Sequence, residues 1–165
     1  TDYVIYSQED YILFDFVKVD ELKKCIGVLE NDNEVAFVRL LHSGLGNGSV
    51  KYNDNFYHVD PNSEYYFSTQ ATVWRKNHLI EMYKLSNVKM IFDEPDNSPF
   101  LRQVSAKGLY EIKKGKKVGG HFNSWIYPYI ATAIVKGNWN LREYQKELDI
   151  LFQEYNINPL DRGIF

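Results

Sequence analysis

The chain has 165 residues, of which 44% are apolar and 25% charged, and its formal net charge at pH 7 is −3. These values are typical of one globular domain and exclude a disordered tail, a collagen-like rod and a disulfide scaffold. With a single cysteine and no apolar run near the roughly 18 residues of a membrane-spanning helix, the composition favours an intracellular protein without membrane association.

The first sixty residues are predicted to be mainly strands. Short apolar runs predict these strands at 3–6, 34–42, 50–52 and 56–59. The turn residues at 53–55 predict that the last two strands form a hairpin. Between the first two strands, Asp20 can cap a short helix over 21–26, which Gly27 would end.

The middle of the chain alternates strand, helix and loop signals. Aromatic residues predict a strand at 64–68, and Thr69 can cap a helix over 71–85 whose apolar residues recur every three or four positions. An acidic, proline-bounded segment at 93–99 is typical of a loop. We expect a further helix over 100–107.

The C-terminal third begins with a predicted hairpin. Residues 109–126 alternate in character and contain several glycines, so we expect a hairpin whose tip lies near Gly115 or Gly119. Pro128 suits the first position of a helix, because it has no amide hydrogen to leave unpaired there. Its position predicts a short helix over 129–136.

The last predicted element is a helix over 141–155. Asn140 and Glu143 have the spacing of a capping box, and apolar residues follow at the helical period. We expect the hairpin and the two C-terminal helices to share one core, made of Trp125, Ile130, Ile134, Leu148, Leu151 and Phe152.

Charge is distributed unevenly along the chain. Residues 1–64 carry a net charge of −7 and residues 65–165 a net charge of +4, with +6 in the window 97–136 alone. We therefore divide the chain into an acidic, strand-rich part, 1–60, packed on a core domain, 61–165. The predicted fold is a mixed α+β domain, and the basic part favours an anionic partner.

Four lysines crowd the predicted hairpin around Gly115, namely Lys113, Lys114, Lys116 and Lys117. Glycine lets the backbone approach a phosphate closely, and each neutralised phosphate releases counterions and adds affinity. His121 and Asn123 follow in the same segment and could donate to phosphates or base edges. Tyr110 and Phe122 flank the lysines and are the candidates for stacking on bases.

The string GGHFNSWIYP at 119–128 leads directly into a segment rich in Ile and Ala. It resembles the KilA-N domain of large DNA viruses and phages and the related APSES domain of fungal transcription factors. In those families a Gly-rich loop precedes an aromatic-aliphatic-x-Pro turn and a helix, and residues 125–128 fill that turn here. The resemblance extends over residues 55–155. It implies a small α+β fold with winged helix-turn-helix character that binds double-stranded DNA and is not an enzyme.

The expected function is therefore binding of double-stranded DNA through a basic, Gly-rich wing in a regulatory, viral or phage protein. The expected location is the nucleus or, for a virus or phage, the host cytoplasm. No cofactor and no metal ion is expected, since the four histidines lack the spacing of zinc ligands. The residues predicted to contact DNA are Lys107, Lys113, Lys114, Lys116, Lys117, Gly119, Gly120, His121 and Asn123.

A protein-interaction module on the same scaffold is the main alternative. The acidic part, 1–60, could bind a basic partner, and a net negative charge is unusual for a dedicated DNA-binding domain. The arrangement of three further cations separates the two functions. If Arg75, Lys76 and Lys107 share a face with the hairpin lysines, DNA is favoured, and if these cations are dispersed, the interaction module is favoured.

A small ribonuclease is the third possibility. His121 could act as a general base, with Lys117 or Tyr127 stabilising the transition state. This function requires the imidazole of His121 to lie within hydrogen-bond reach of another titratable group.

Overall fold

The structure, a computed structural model, describes residues 1–41, 47–63, 66–85, 106–119 and 121–165. Its helices are α1 Val19–Asn31, α2 Lys76–Leu85 and α3 Leu141–Glu154. Its strands are β1 Tyr3–Tyr6, β2 Ile12–Leu13, β3 Val35–Arg39, β4 Asn47–Lys51, β5 Phe56–Val59, β6 Thr72–Arg75, β7 Lys107–Glu111, β8 Lys114–Val118, β9 His121–Ser124, β10 Tyr129–Ile130, β11 Ile134–Val135 and β12 Asn138–Trp139. The predicted mixed α+β class is confirmed. Within the described ranges, none of the helices has the length and apolar character that crossing a bilayer requires.

Six of the strands form one mixed sheet in the order β1-β6-β3-β7-β5-β4. The central strands β3 and β7 run parallel, whereas the other neighbouring pairs are antiparallel. All five residues of β3 are buried, as expected for a strand in a sheet that is covered on both faces. This confirms the strand predicted within 34–42.

Two helices cover opposite faces of this sheet. Leu29 of α1 packs in one cluster with Val73 of β6, whereas Met82 of α2 packs in a second cluster with Trp74. Adjacent residues of a strand point to opposite faces, so α1 and α2 lie on different sides of the sheet. The expected helix over 71–85 is therefore wrong in its first residues, which form β6, and correct over α2.

The C-terminal part builds a third cluster against α3. Hairpin β8–β9 and the two-stranded pairs β2–β10 and β11–β12 contribute to it. Its buried members are Val118, Ile130, Ala133, Trp139, Tyr144, Leu148, Leu151 and Phe152. The expected core is thus confirmed over 130–152. It is wrong for Trp125, which is half-buried and packs against the cluster of α1.

The helix expected over 129–136 is wrong. Residues 129–130 form β10 and pair with β2 at 12–13, and the following β11 pairs with β12. Strands from elsewhere in the chain supply hydrogen bonds that a helix would have made internally, so tertiary pairing overrides the local signal. Thr132 has φ 63°, which a right-handed helix does not allow. The helix that the family resemblance implies after the proline turn is therefore missing from its expected place.

The boundaries of α1 and α3 also differ in detail from prediction. Helix α1 is twice as long as expected and continues through Gly27. Helix α3 starts where predicted, but Asn140 does not accept a capping hydrogen bond. Its amide instead donates to the carbonyl oxygen of Thr132 at 3.1 Å and to Oε2 of Glu143 at 3.3 Å.

The expected boundary after residue 60 falls between β5 and β6, which belong to the same sheet. The acidic part, 1–60, supplies four of its six strands, so it is integral to this sheet. The described end of the segment 64–68 is a bend rather than a strand. The loop expected at 93–99 and most of the helix expected over 100–107 lie outside the described residues.

Candidate nucleic-acid interface

The basic segment forms hairpin β8–β9, in which the two strands pair antiparallel. Its turn follows Val118, where Gly119 adopts φ 58°, a conformation that favours glycine. Gly120 lies outside the described residues. Of the two predicted tips, Gly119 is confirmed and Gly115 is wrong.

Gly115 occupies a bulge within β8 rather than a turn. It faces Asn123 together with Lys116, so two residues of β8 oppose one residue of β9. A Cβ atom at Gly115 would collide with Oδ1 of Asn123 and with the carbonyl oxygen of Ser124. The close approach of the backbone at position 115 to Asn123 and Ser124 therefore requires glycine. Lys114, Lys116 and Lys117 lie along β8 and Lys113 directly precedes it, so the lysines do not surround a tip.

The hairpin lysines are exposed to solvent, as the prediction requires, and comprise Lys113, Lys114, Lys116 and Lys117. Lys116 makes an ion pair with Asp15, with 2.6 Å between Nζ and Oδ2. Surface pairs of this kind are weak and open readily. In the described part of the chain, the other three have no carboxylate within ion-pair distance. This surface therefore presents cations that can bind an anion.

Aromatic rings lie directly beneath these cations. Nζ of Lys114 lies 4.9 Å from the ring centroid of Phe122, and Nζ of Lys113 lies 4.3 Å from that of Trp125. Lys18 also lies over the Trp125 ring. The pKa of Lys18 is lowered, first by desolvation and then by the charge of Lys113. Cation–π contacts thus hold ammonium groups over flat rings.

Lys18 reaches the hairpin because the segment before α1 runs beside the chain that follows β9. The amide of Lys18 donates to the carbonyl of Ile126 at 2.9 Å, and the amide of Phe14 donates to that of Pro128 at 3.2 Å. These bonds and the Asp15 ion pair place residues 14–18 along the base of the hairpin. They are separated from it by about a hundred positions in sequence, so no local signal could have predicted this contact.

Glu111, the last residue of β7, holds the segment that carries Trp125. Its side chain is 1% exposed, and its carboxylate accepts the amides of Trp125 at 2.8 Å and Ile126 at 3.2 Å. Burial raises the pKa of Glu111 to about 7, although hydrogen bonds from Ser124 and from both amides oppose this rise. Because both oxygens accept backbone amides, we assign Glu111 the role of positioning Trp125 beside the lysines.

A pocket of about 210 Å³ opens beside Glu111 and is bounded by Trp125, Lys113 and Phe56. Its lining also includes Lys24 and the carboxylates of Glu21 and Asp54, and the Glu111 carboxylate already accepts hydrogen bonds from the backbone. Among the described residues, no three His, Cys, Asp or Glu side chains are close enough to hold a metal ion.

No family model matches the chain, and comparison with the curated proteins and the solved structures finds no significant match. The resemblance to KilA-N and APSES domains, which rests on the string at 119–128, stays a prediction. Function is inferred here from the side chains of the hairpin and its neighbours.

The three cations whose arrangement separates DNA binding from protein interaction do not lie beside the hairpin lysines. Lys107 begins β7, at the opposite end of that strand from Lys113, and pairs with Glu34. Arg75 donates to the carbonyl oxygens of Leu29, Asp32 and Val35 at the end of α1. Lys76 directly follows it at the start of α2. These three cations therefore add nothing to the surface formed by the hairpin lysines and Lys18, and their dispersal counts toward the protein-interaction module.

Two of the other predicted contacts are buried. Asn123 is 7% exposed and its side chain lies against Gly115, so it is not accessible to a base. Tyr110 is buried against Tyr57 and cannot stack on a base. The side chain of His121 lies outside the described part of the structure. The ribonuclease function, which depends on that imidazole, therefore stays a prediction.

Proposed function

We propose that the protein binds double-stranded DNA through the exposed lysines of hairpin β8–β9. The observation that carries this proposal is the row of four exposed lysines at 113–117, of which only Lys116 makes an ion pair, with Asp15, among the described residues. Lysine neutralises phosphates and releases their counterions, which supplies affinity without sequence preference.

The shape of the element also suits a duplex. A two-stranded ribbon fits the major groove of B-DNA, which is about 12 Å wide. Strand β8 would face phosphates with its lysines, and β9 exposes Phe122 beside them. Because Asn123 is buried, this ribbon offers few polar side chains for reading bases. We expect weak sequence discrimination.

The test compares DNA binding of the wild type and of two variants that remove the same charge. The hairpin variant is Lys113→Ala/Lys114→Ala/Lys116→Ala/Lys117→Ala. The matched control removes four exposed lysines that pair with an acid three residues away, namely Lys23, Lys24, Lys51 and Lys84. Binding is measured by fluorescence anisotropy of a labelled duplex of about 20 base pairs at low salt, and circular dichroism confirms folding.

We expect the hairpin variant to lose most of its affinity and the control to keep nearly all of it. Equal losses in both would mean that overall charge, not this hairpin, attracts DNA. Absence of wild-type binding at low salt would reject the proposal and favour the protein-interaction module. The dispersed positions of Arg75 and Lys107 are the observation on which that alternative rests.

A further inference from the structure

Asp15 places a carboxylate directly against the hairpin lysines. Its Oδ2 atom accepts from Nζ of Lys116 at 2.6 Å, and its Oδ1 atom accepts the amide of Phe16 at 2.8 Å. The pKa of Asp15 is lowered, first by the hydrogen bond from Lys116 and then by that from Phe16, with a smaller contribution from the charge of Lys18. The carboxylate is therefore ionised at neutral pH and lies close to two cations.

Lys18 connects this carboxylate to the next hairpin cation. Lys18 and Lys113 both lie over the ring of Trp125. The charge of Lys113 lowers the pKa of Lys18, after the larger effect of desolvation, whereas the acids nearby, Asp15 first, act in the opposite direction. Within the described ranges, neither Lys18 nor Lys113 has a carboxylate at ion-pair distance. Two like charges over one ring repel each other, and an anion beside them would relieve that repulsion.

The ion pair of Asp15 is not required to hold its own segment in place. The amide of Lys18 donates to the carbonyl of Ile126 at 2.9 Å, and the amide of Phe14 donates to that of Pro128 at 3.2 Å. These backbone bonds flank Asp15 on both sides. The side chain of Lys116 is 72% exposed, so an anion from solution can reach it. The pair can therefore open while residues 14–18 stay beside the hairpin.

We propose that Lys18, Lys113 and Lys116 form a site for a phosphate of the DNA backbone, and that the Asp15 carboxylate takes the place of this phosphate when DNA is absent. This inference rests on the proposed DNA-binding function and adds Lys18 to its surface. Carboxylate and phosphate oxygens accept the same short, charge-assisted hydrogen bonds from ammonium groups. DNA would thus exchange one anion for another on Lys116, and breaking an exposed ion pair costs little.

The test measures binding of a labelled duplex of about 20 base pairs by fluorescence anisotropy over a range of salt concentrations. Asp15→Asn removes the charge but keeps an oxygen that can accept the amide of Phe16. Lys18→Ala removes the added cation, and Lys18→Arg keeps it. The matched controls are Glu81→Gln and Lys84→Ala, which break a 2.7 Å ion pair on α2, across the sheet from α1. Circular dichroism confirms folding of every variant.

We expect Asp15→Asn to bind the duplex about two- to fivefold more tightly at low salt, because the phosphate no longer has to displace a carboxylate. This gain should shrink as salt screens the charges. Lys18→Ala should make the salt slope less steep by about 0.9, which corresponds to the loss of one phosphate contact. Lys18→Arg and both controls should bind as the wild type does.

Two results would overturn this inference and leave the proposed function standing. The first is wild-type binding that Asp15→Asn strengthens no more than Glu81→Gln does, because the carboxylate would then not compete with DNA. The second is an unchanged salt slope in Lys18→Ala, because Lys18 would then contact no phosphate. Binding by neither the wild type nor Asp15→Asn would reject the proposed function together with this inference.

Discussion

The buried carboxyl group of Glu111 provides a sharp test of how the hairpin is held. Its pKa is raised from an ordinary 4.5 to about 7 by burial. A tenfold change in proton affinity corresponds to about 1.4 kcal/mol. The folded protein should therefore lose about 3 kcal/mol of stability from this group as pH rises from 4.5 through 7.

The sign follows from proton counts. Between these pH values the unfolded chain has released the proton of Glu111, whereas the folded chain still holds it. The unfolded state then binds fewer protons, so the free energy of unfolding falls as pH rises. Above the folded pKa of about 7 both states are ionised and the contribution of this group becomes constant.

The assay is urea denaturation of the wild type and of Glu111→Gln between pH 4.5 and 8. Gln cannot ionise, so the difference in free energy of unfolding between the two should change with pH by about 3 kcal/mol. Exposed Glu154→Gln is the matched control and should leave the wild-type pH profile unchanged. Parallel pH profiles for the wild type and Glu111→Gln would refute the buried, proton-binding carboxyl group.

Two further predictions concern packing. Gly115→Ala should lower the free energy of unfolding by about 1–3 kcal/mol, because the new Cβ atom would press on Asn123. Gly27→Ala in α1 should raise the free energy of unfolding by about 0.5–1 kcal/mol, because its Cβ atom would meet open space. Equal effects at the two glycines in urea denaturation would contradict the bulge. Cys25 is fully buried, and burial raises the pKa of its thiol to about 12. The thiol should therefore resist a thiol reagent at pH 8 until the protein unfolds. Rapid labelling of the native protein would place Cys25 at the surface instead.

Local sequence patterns predicted the elements whose stabilising contacts are close in sequence. The period of apolar residues located α3, and turn residues located the hairpin of β4 and β5. The glycines of the basic segment indicated hairpin β8–β9, but the sequence did not distinguish Gly115 from Gly119 as the residue at its turn. Only the contact between Gly115 and Asn123 shows that one of them serves a bulge.

Predictions failed where a partner came from a distant part of the chain. The segment after Pro128 has a helical pattern, yet it pairs with β2 from the N-terminus. The candidate surface was incomplete for the same reason, since Lys18 reaches the ring of Trp125 from a segment that is bonded to Ile126 and Pro128. Lys107 was included for its sequence proximity, but the length of β7 carries it away from the hairpin.

The salt dependence of duplex binding tests the central claim most directly. Three or four phosphate contacts by the hairpin lysines predict that the logarithm of the association constant falls with the logarithm of salt concentration with a slope of roughly −3 to −4. Lys113→Ala/Lys114→Ala/Lys116→Ala/Lys117→Ala should bring this slope close to zero while circular dichroism shows a folded domain. Salt-insensitive wild-type binding, or an unchanged slope in the variant, would contradict the hairpin as the DNA-binding surface.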